Sequence, residues 1–273
     1  MKPLSPLSQN RLKALRKLKM RKYRRLQGRY LCEGWRLFTA ASESHPQKID
    51  EIIVSENFLN SGNRDRFLKI TADHKLPVYL CSAVEMRSMS DETTPQGILF
   101  TMPVTGNISL ADDTYSDSVI VYFENISDPG NLGTIIRTAL WFGVTKIILS
   151  PGSVDPYNPK TVRSSAGAIF DTQIYENISF SLLRSLYADR NYRFIATTPR
   201  DGLDLGRWVP GPKSVILFGQ EASGLSQVLR SGSDQQISIL RAGRSESLNL
   251  GVSAGIILYH IQRHHLTQES ASL

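Results

Sequence analysis

The chain has 273 residues, 41% of them hydrophobic and 21% charged, which is enough apolar material for one large domain or two modest ones. Its 32 Lys and Arg outnumber 25 Asp and Glu, and the excess lies at one end: residues 1–30 hold 11 basic and no acidic residues, leaving 21 basic against 25 acidic in the rest. Cys32 and Cys81 are far apart and lack metal-ligand spacing, which argues against a disulfide framework or a zinc site. No segment reaches the roughly 18 uncharged apolar residues of a membrane span, and the first thirty residues lack the apolar stretch of a signal peptide. A reducing, cytoplasmic setting without metal is expected. A basic arm on a mildly acidic body favours a polyanionic partner, the alternative being a solubilising terminus.

In chain order, Leu12, Leu15 and Leu18, followed by Tyr23 and Leu26, set an apolar line on an approximately helical period among basic residues. Residues 1–30 are therefore read as a basic helical arm, with one face on the protein and the other on phosphates. A helix over Glu33–Ala41, a strand over Ile49–Val54, a helix over Asn63–His74 and strands at Val78–Leu80 and Gly97–Met102 make residues 31–103 a compact α/β unit. Residues 104–118, with Thr105, Gly106, Asn107, Asp112, Asp113 and Asp117, have linker composition.

Residues 119–273 form the second domain. Strands are expected at Val119–Phe123, Lys146–Ser150, Tyr192–Thr197, Ser214–Gly219 and Gln236–Leu240, and helices at Leu132–Phe142, Lys160–Phe170, Ser179–Tyr187 and Leu248–His264. Strands that are apolar throughout and separated by helices or long loops imply a parallel sheet covered on both faces, with ligands beyond its carboxyl ends.

Three polar, glycine-containing patches lie at those ends. In Asn125–Arg137, Pro129-Gly130 makes a turn, Asn131 is placed to cap the helix, and Arg137 falls near its solvent-facing side. In Phe218–Leu225, two glycines flank Glu221 directly after an apolar strand. In Ile239–Asn249, Ser247 or Asn249 opens a helix whose Gly251, Ser253, Ala254 and Gly255 permit close packing. Each patch alone also fits a capped helix or a strand exit. Neither GxGxxG nor GxxxxGK[ST] occurs in the first patch, which argues against a nucleotide-dependent oxidoreductase.

Taken together, Asn131-x-Gly133 with Arg137, Gly219-x-Glu221-x-x-Gly224 and Ser247-Leu248-Asn249 resemble the SPOUT superfamily, specifically the SpoU/TrmH-type RNA ribose 2'-O-methyltransferases. The resemblance implies a C-terminal parallel-sheet domain with a trefoil knot, S-adenosylmethionine as cofactor and a homodimer. It also implies a smaller α/β, ribosomal-protein-like RNA-binding domain in front, beginning near Arg29–Arg36. Carried over by position, it makes Arg137 the catalytic arginine, with Asn131, Glu221, Ser247 and Asn249 around it. Phe218, Gly219, Glu221, Gly224, Ile239, Leu240, Leu248 and Asn249 become cofactor residues, largely through main-chain groups. Ile239 stands where the family often has proline, a departure that touches loop rigidity more than chemistry. Substrate RNA is assigned to Arg16, Lys17, Arg21, Arg24, Arg25 and Arg29 of the arm, and to Arg163 and Ser165 in a segment resembling one that faces RNA. Ribosomal RNA is the favoured substrate. A transfer RNA methyltransferase and a noncatalytic RNA-binding assembly factor are the alternatives.

Overall fold

The structure is a computed structural model that describes residues 4–105, 109–112 and 116–271, with side chains to residue 267. The chain divides into two compact units: Met1–Gly106 with Tyr157–Phe170, and Asn107–Pro156 with Asp171–Leu273. The linker expected at 104–118 falls partly on residues 106–108 and 113–115, which lie outside the described residues. Within it, Leu110 is buried in the core of the second unit.

The first unit contains β1 (Ser5–Pro6), α1 (Gln9–Lys17), α2 (Arg21–Gln27), β2 (Arg29–Glu33), α3 (Trp35–Ser44), β3 (Glu51–Ser55), α4 (Glu56–Leu59), α5 (Arg64–Asp73), β4 (Val78–Cys81), α6 (Ala83–Met89) and β5 (Ile98–Pro103). Its sheet runs β1-β4-β3-β5-β2, parallel across β1, β4 and β3 and antiparallel onward to β5 and β2. Leu12, Leu15 and Leu18 are buried against Leu31, Ile53, Met86, Met89 and Leu99, so α1 is part of the core.

The continuous helical arm expected from the apolar period is instead an elbow. The chain breaks between Lys17 and Arg21, and Met20 takes an extended conformation at the start of α2. Arg24 reaches back from α2 and donates through Nη1 to the carbonyls of Leu18 (2.7 Å) and Lys19 (2.8 Å) at the end of α1. That places a cation on carbonyls the helix leaves unpaired, where the dipole favours it. Leu26 is 75% exposed and does not continue the buried line.

The second unit contains β6 (Val119–Phe123), α7 (Pro129–Trp141) and β7 (Lys146–Leu149). The chain then contributes α8 (Pro159–Ser164) to the first unit and returns as β8 (Gln173–Tyr175), α9 (Phe180–Tyr187), β9 (Arg193–Thr197), β10 (Leu203–Asp204), β11 (Ser214–Phe218), α10 (Gln227–Ser231), β12 (Gln235–Ser238) and α11 (Leu250–Ala271). The seven strands run β10-β12-β9-β11-β6-β7-β8, and every pairing is parallel. The central strands β6 and β11 are buried along their whole length, which explains their unbroken apolar sequence. α11 lies against α7, and an added Cβ at Gly251 or Gly255 would just reach van der Waals contact, 3.4 Å, with the methyls of Thr134 and Thr138.

Residues 157–170, read from sequence as part of the second domain, pack within the first unit. Val162 is buried, Tyr157 lies against Tyr30 and Phe170 against Phe100. The helix expected over Lys160–Phe170 stops at Ser164, because Ala166 (φ 53°) and Gly167 (φ 102°) turn left-handed, a conformation that ends helices.

Candidate active site at the carboxyl ends of the strands

The turn leaving β6 is built around a cap different from the one expected. Asp128 caps α7, accepting from the main-chain nitrogen of Asn131 at 2.7 Å with Pro129 in the first turn, the favoured place for proline. Asn131 therefore sits inside the helix, and its side-chain amide points elsewhere. Upstream, Asn125 is left-handed (φ 51°), and its main-chain nitrogen donates to Ser150 Oγ at 2.8 Å, pinning the turn to the end of β7.

The loop leaving β11 is closed on itself. Gln220 and Gly224 exchange main-chain hydrogen bonds of 3.2 and 2.9 Å. A Cβ on Gly219 would meet the Gly224 carbonyl carbon at 2.1 Å, and Gly224 has φ +69°. Both glycines are thus required by the loop's own backbone. Outside it, Arg230 Nε donates to the carbonyl of Leu225 at 3.0 Å, and Glu124 Oε2 accepts from the Ser226 nitrogen at 2.7 Å. Glu124 and Arg230 had no motif to single them out; only the fold brings them to this loop.

Asn131 Nδ2 donates to Glu221 Oε1 (3.2 Å), Ser127 Oγ to Glu221 Oε2 (3.4 Å), and Asn249 Nδ2 to Asn131 Oδ1 (3.0 Å). Asn249 Oδ1 accepts from the nitrogens of Gly251 (2.9 Å) and Val252 (3.3 Å), capping α11. An ionised carboxylate only accepts, so it fixes which end of each amide faces which neighbour. The amide dipoles align from the α11 N-terminus to Glu221, an arrangement in which each bond polarises the next.

The structure therefore brings Asn131, Glu221 and Asn249 together. Ser247, Leu248, Ile239 and Leu240 belong to the open loop that follows β12, in which residues 240–249 are all exposed. Arg241 and Ser245 make its internal bonds, to the carbonyls of Ser245 (3.1 Å) and Ser247 (3.0 Å). Leu240 and Leu248 are 74% and 49% exposed, two apolar side chains in a polar loop. Phe218 is placed differently from the sequence assignment. Its ring is fully buried and stacked on Phe123, and its carbonyl accepts from Glu124, so it supports the loop from behind. Arg137 is exposed on α7 and has no acidic partner among the described residues.

The RNA assignments divide. Arg16, Lys17, Arg21 and Arg25 are exposed. Arg24 is buried in the elbow, and Arg29 pairs with Glu51 (2.5 Å) and Asp50 (2.8 Å). Arg163 is held by Glu92 (2.5 Å) and Asp91 (3.4 Å). Ser165 is fully buried, donating to the carbonyl of Val162 at 2.7 Å. For Arg24 and Ser165 the accessible role expected from sequence is replaced by a structural one, because each side chain closes a local backbone terminus. Among the described residues no cluster of metal-ligating side chains occurs, and no helix is long and apolar enough to cross a membrane.

Residues 118–259 match the SpoU rRNA Methylase family, and residues 9–99 match the MRM3-like substrate binding domain. An uncharacterized tRNA/rRNA methyltransferase of Synechocystis sp. is 30% identical over 92% of this chain and 90% of its own length. The 23S rRNA (guanosine(2553)-2'-O)-methyltransferase of Bacillus subtilis is 25% identical over 96% of this chain and all of its own. The AdoMet-bound rRNA methyltransferase of Sinorhizobium meliloti superposes with a TM-score of 0.79 at 25% identity, covering 96% of this chain and 97% of that one. With its parallel-sheet domain, its preceding substrate-binding domain and the three joined loops, this chain belongs to the SpoU rRNA methylase family.

Proposed function

We propose that this protein transfers a methyl group from S-adenosylmethionine to a ribose 2'-hydroxyl of RNA, with ribosomal RNA as the substrate class. The observation that carries this reading is the Glu221–Asn131–Asn249 relay, which ties together three loops at the strand ends of a parallel sheet. The family's name, the 2'-O activity in the name of the Bacillus relative and the AdoMet in the Sinorhizobium structure support it.

The residues present fit the cofactor. Leu240 and Leu248 are apolar yet exposed and would flank an aromatic base, while main-chain groups of Gly219, Ile239 and Leu248 would hold it. When bound, the cofactor supplies the methyl carbon, activated on its sulfonium. The relay holds the loops so that this site keeps one shape, the kind of positioning that lowers the barrier to an in-line transfer. Arg137 presents a planar fork of N–H donors. Its role is to stabilise the developing 2'-alkoxide or an adjacent phosphate.

The finer features of the family are part of the proposal. After β12 the chain returns to the first motif at Asn249 and runs along α7 as α11, the passage at which a trefoil crossing would form. Trp141, Val252, Ile256 and Tyr259 are exposed on α7 and α11 at 83%, 51%, 37% and 56%, an apolar face suited to a second copy.

The test is methyl transfer from labelled S-adenosylmethionine to ribosomal RNA, followed by nucleoside analysis. A 2'-O-methylated nucleoside is expected, and Arg137→Ala should lower turnover about a hundredfold or more while cofactor affinity stays within about twofold. Methylation of a base, or cofactor binding without transfer to any RNA, would overturn the reading.

A further inference from the structure

The elbow between α1 and α2 leaves a surface that the fold does not explain. Among the cations of the basic arm, Arg11 and Arg29 pair with the buried Glu51, Arg24 closes the end of α1, and Lys19 donates to the carbonyl of Ser90. Lys13, Arg16, Lys17 and Lys22 are exposed, in a stretch with no acidic residue. Among them stand Met20, 57% exposed, and Leu26, 75% exposed. Lys17 Nζ lies 5.1 Å from the centre of the Tyr23 ring. Met20, in the extended residue that leads into α2, is followed at three-residue spacing by Tyr23 and Leu26, one turn apart on α2 itself, and the three make an apolar strip at the elbow. The buried Arg24 fixes the turn beneath that strip, so the strip is pre-organised.

A polyanion complements the cations, but a duplex hides the faces of its bases and offers nothing to Met20 and Leu26. An unpaired strand presents both phosphates and apolar base faces. We propose that the Met20–Tyr23–Leu26 strip and its flanking cations bind an unpaired stretch of the RNA, with the bases on the strip and the phosphates on the cations. The proposal rests on the reading of this chain as acting on RNA. It adds a discrimination between unpaired and paired RNA at a surface remote in sequence from the three motifs. An anionic membrane is the competing partner for a basic, partly apolar helix face.

The experiment measures binding of the full chain, without cofactor, to a labelled 12-nucleotide oligouridylate, to an RNA duplex of equal length, and to vesicles of phosphatidylcholine with phosphatidylserine. The single strand is expected to bind about tenfold or more tightly than the duplex. The double variant Met20→Ser, Leu26→Ser changes exposed side chains, and its unfolding midpoint checks that it folds. It should lose about tenfold in single-strand affinity with its salt slope and duplex affinity unchanged. Lys22→Gln should weaken both RNAs and lower the salt slope by about one.

Equal affinity for the two RNAs, or a folded double variant that binds the single strand like the parent, overturns the proposal. So does vesicle binding that the double variant loses while its RNA binding stays intact. Because no methyl transfer enters the measurement, a protein that shows this preference yet methylates no RNA would refute the proposed reaction and leave the strip standing.

Discussion

Asn249 donates its side-chain amide to that of Asn131 across 3.0 Å, joining the residue that opens the last helix to one on the first helix of the same unit, 118 positions earlier. Asn131 can accept this bond only because its own NH2 is directed to Glu221. Replacing Asn131 by Asp sets two carboxylates against each other and should lower cofactor affinity about tenfold or more. Adding Glu221→Gln supplies a donor to the new carboxylate and should recover much of that loss. Calorimetric titration with S-adenosylmethionine reads both, and a double variant no better than Asn131→Asp alone would show that the polarity of the chain is irrelevant.

The second-motif loop predicts a graded glycine series. Gly219→Ala forces its new carbon against the backbone of Gly224 at 2.1 Å, a clash with main chain that no side chain can relieve, so the loop must open. Gly224→Ala meets only the Arg230 guanidinium, at an ordinary contact distance of 3.6 Å, but retains a left-handed residue, costing about 1–2 kcal/mol. Gly243→Ala has nothing within 4 Å and should be silent. Unfolding midpoints and cofactor affinity should rank the three in that order, with Gly219→Ala the most damaged in both.

Much of this fold is legible in the sequence, for identifiable reasons. Val119–Phe123 and Ser214–Phe218 are central strands buried on both faces, so their apolar runs are continuous, and the three polar patches mark where those runs end. What escapes is whatever depends on choosing between chemically equivalent neighbours. Asp128 and Asn131 are both good caps three residues apart, and only the turn geometry selects Asp128. Arg24 is one cation in a run of cations, yet it alone is buried at 3% exposure because two carbonyls at the end of α1 face it. β8 has three residues, too short for any periodicity to register. The placement of Arg163 against Asp91 and Glu92 depends on a long-range return of the chain, and no local pattern encodes that.

At the amino ends of the strands Lys146 is 1% exposed and its ammonium lies 2.6 Å from Asp117 Oδ2. Removing the carboxylate takes from a buried cation the charge partner at 2.6 Å, whereas removing the lysine leaves Asp117, at 24% side-chain exposure, able to hydrate. Asp117→Ala should therefore destabilise the fold more than Lys146→Met does. Denaturant unfolding measures the pair. Both variants should keep their cofactor affinity, because the ion pair and the motif loops lie at opposite ends of the sheet.

Cys32 and Cys81 predict a pH response of defined sign. Burial pushes the Cys81 thiol from 9.0 up to about 12 and that of Cys32 well above its ordinary value, because a thiolate loses hydration there. Between pH 9.0 and about 12 the unfolded chain releases the Cys81 proton while the folded chain keeps it, so the unfolded state binds fewer protons. Stability from this thiol is complete below pH 9.0 and is lost as pH rises through that window. Native protein at pH 8 should resist thiol-specific alkylation at both positions, and labelling should appear only with unfolding, since the thiolate is the reactive form. Cys81→Ser should flatten the alkaline part of the stability curve and leave the range below pH 9.0 parallel to the parent. Rapid native labelling of Cys81 at pH 8 would show instead that the thiol ionises in the folded chain.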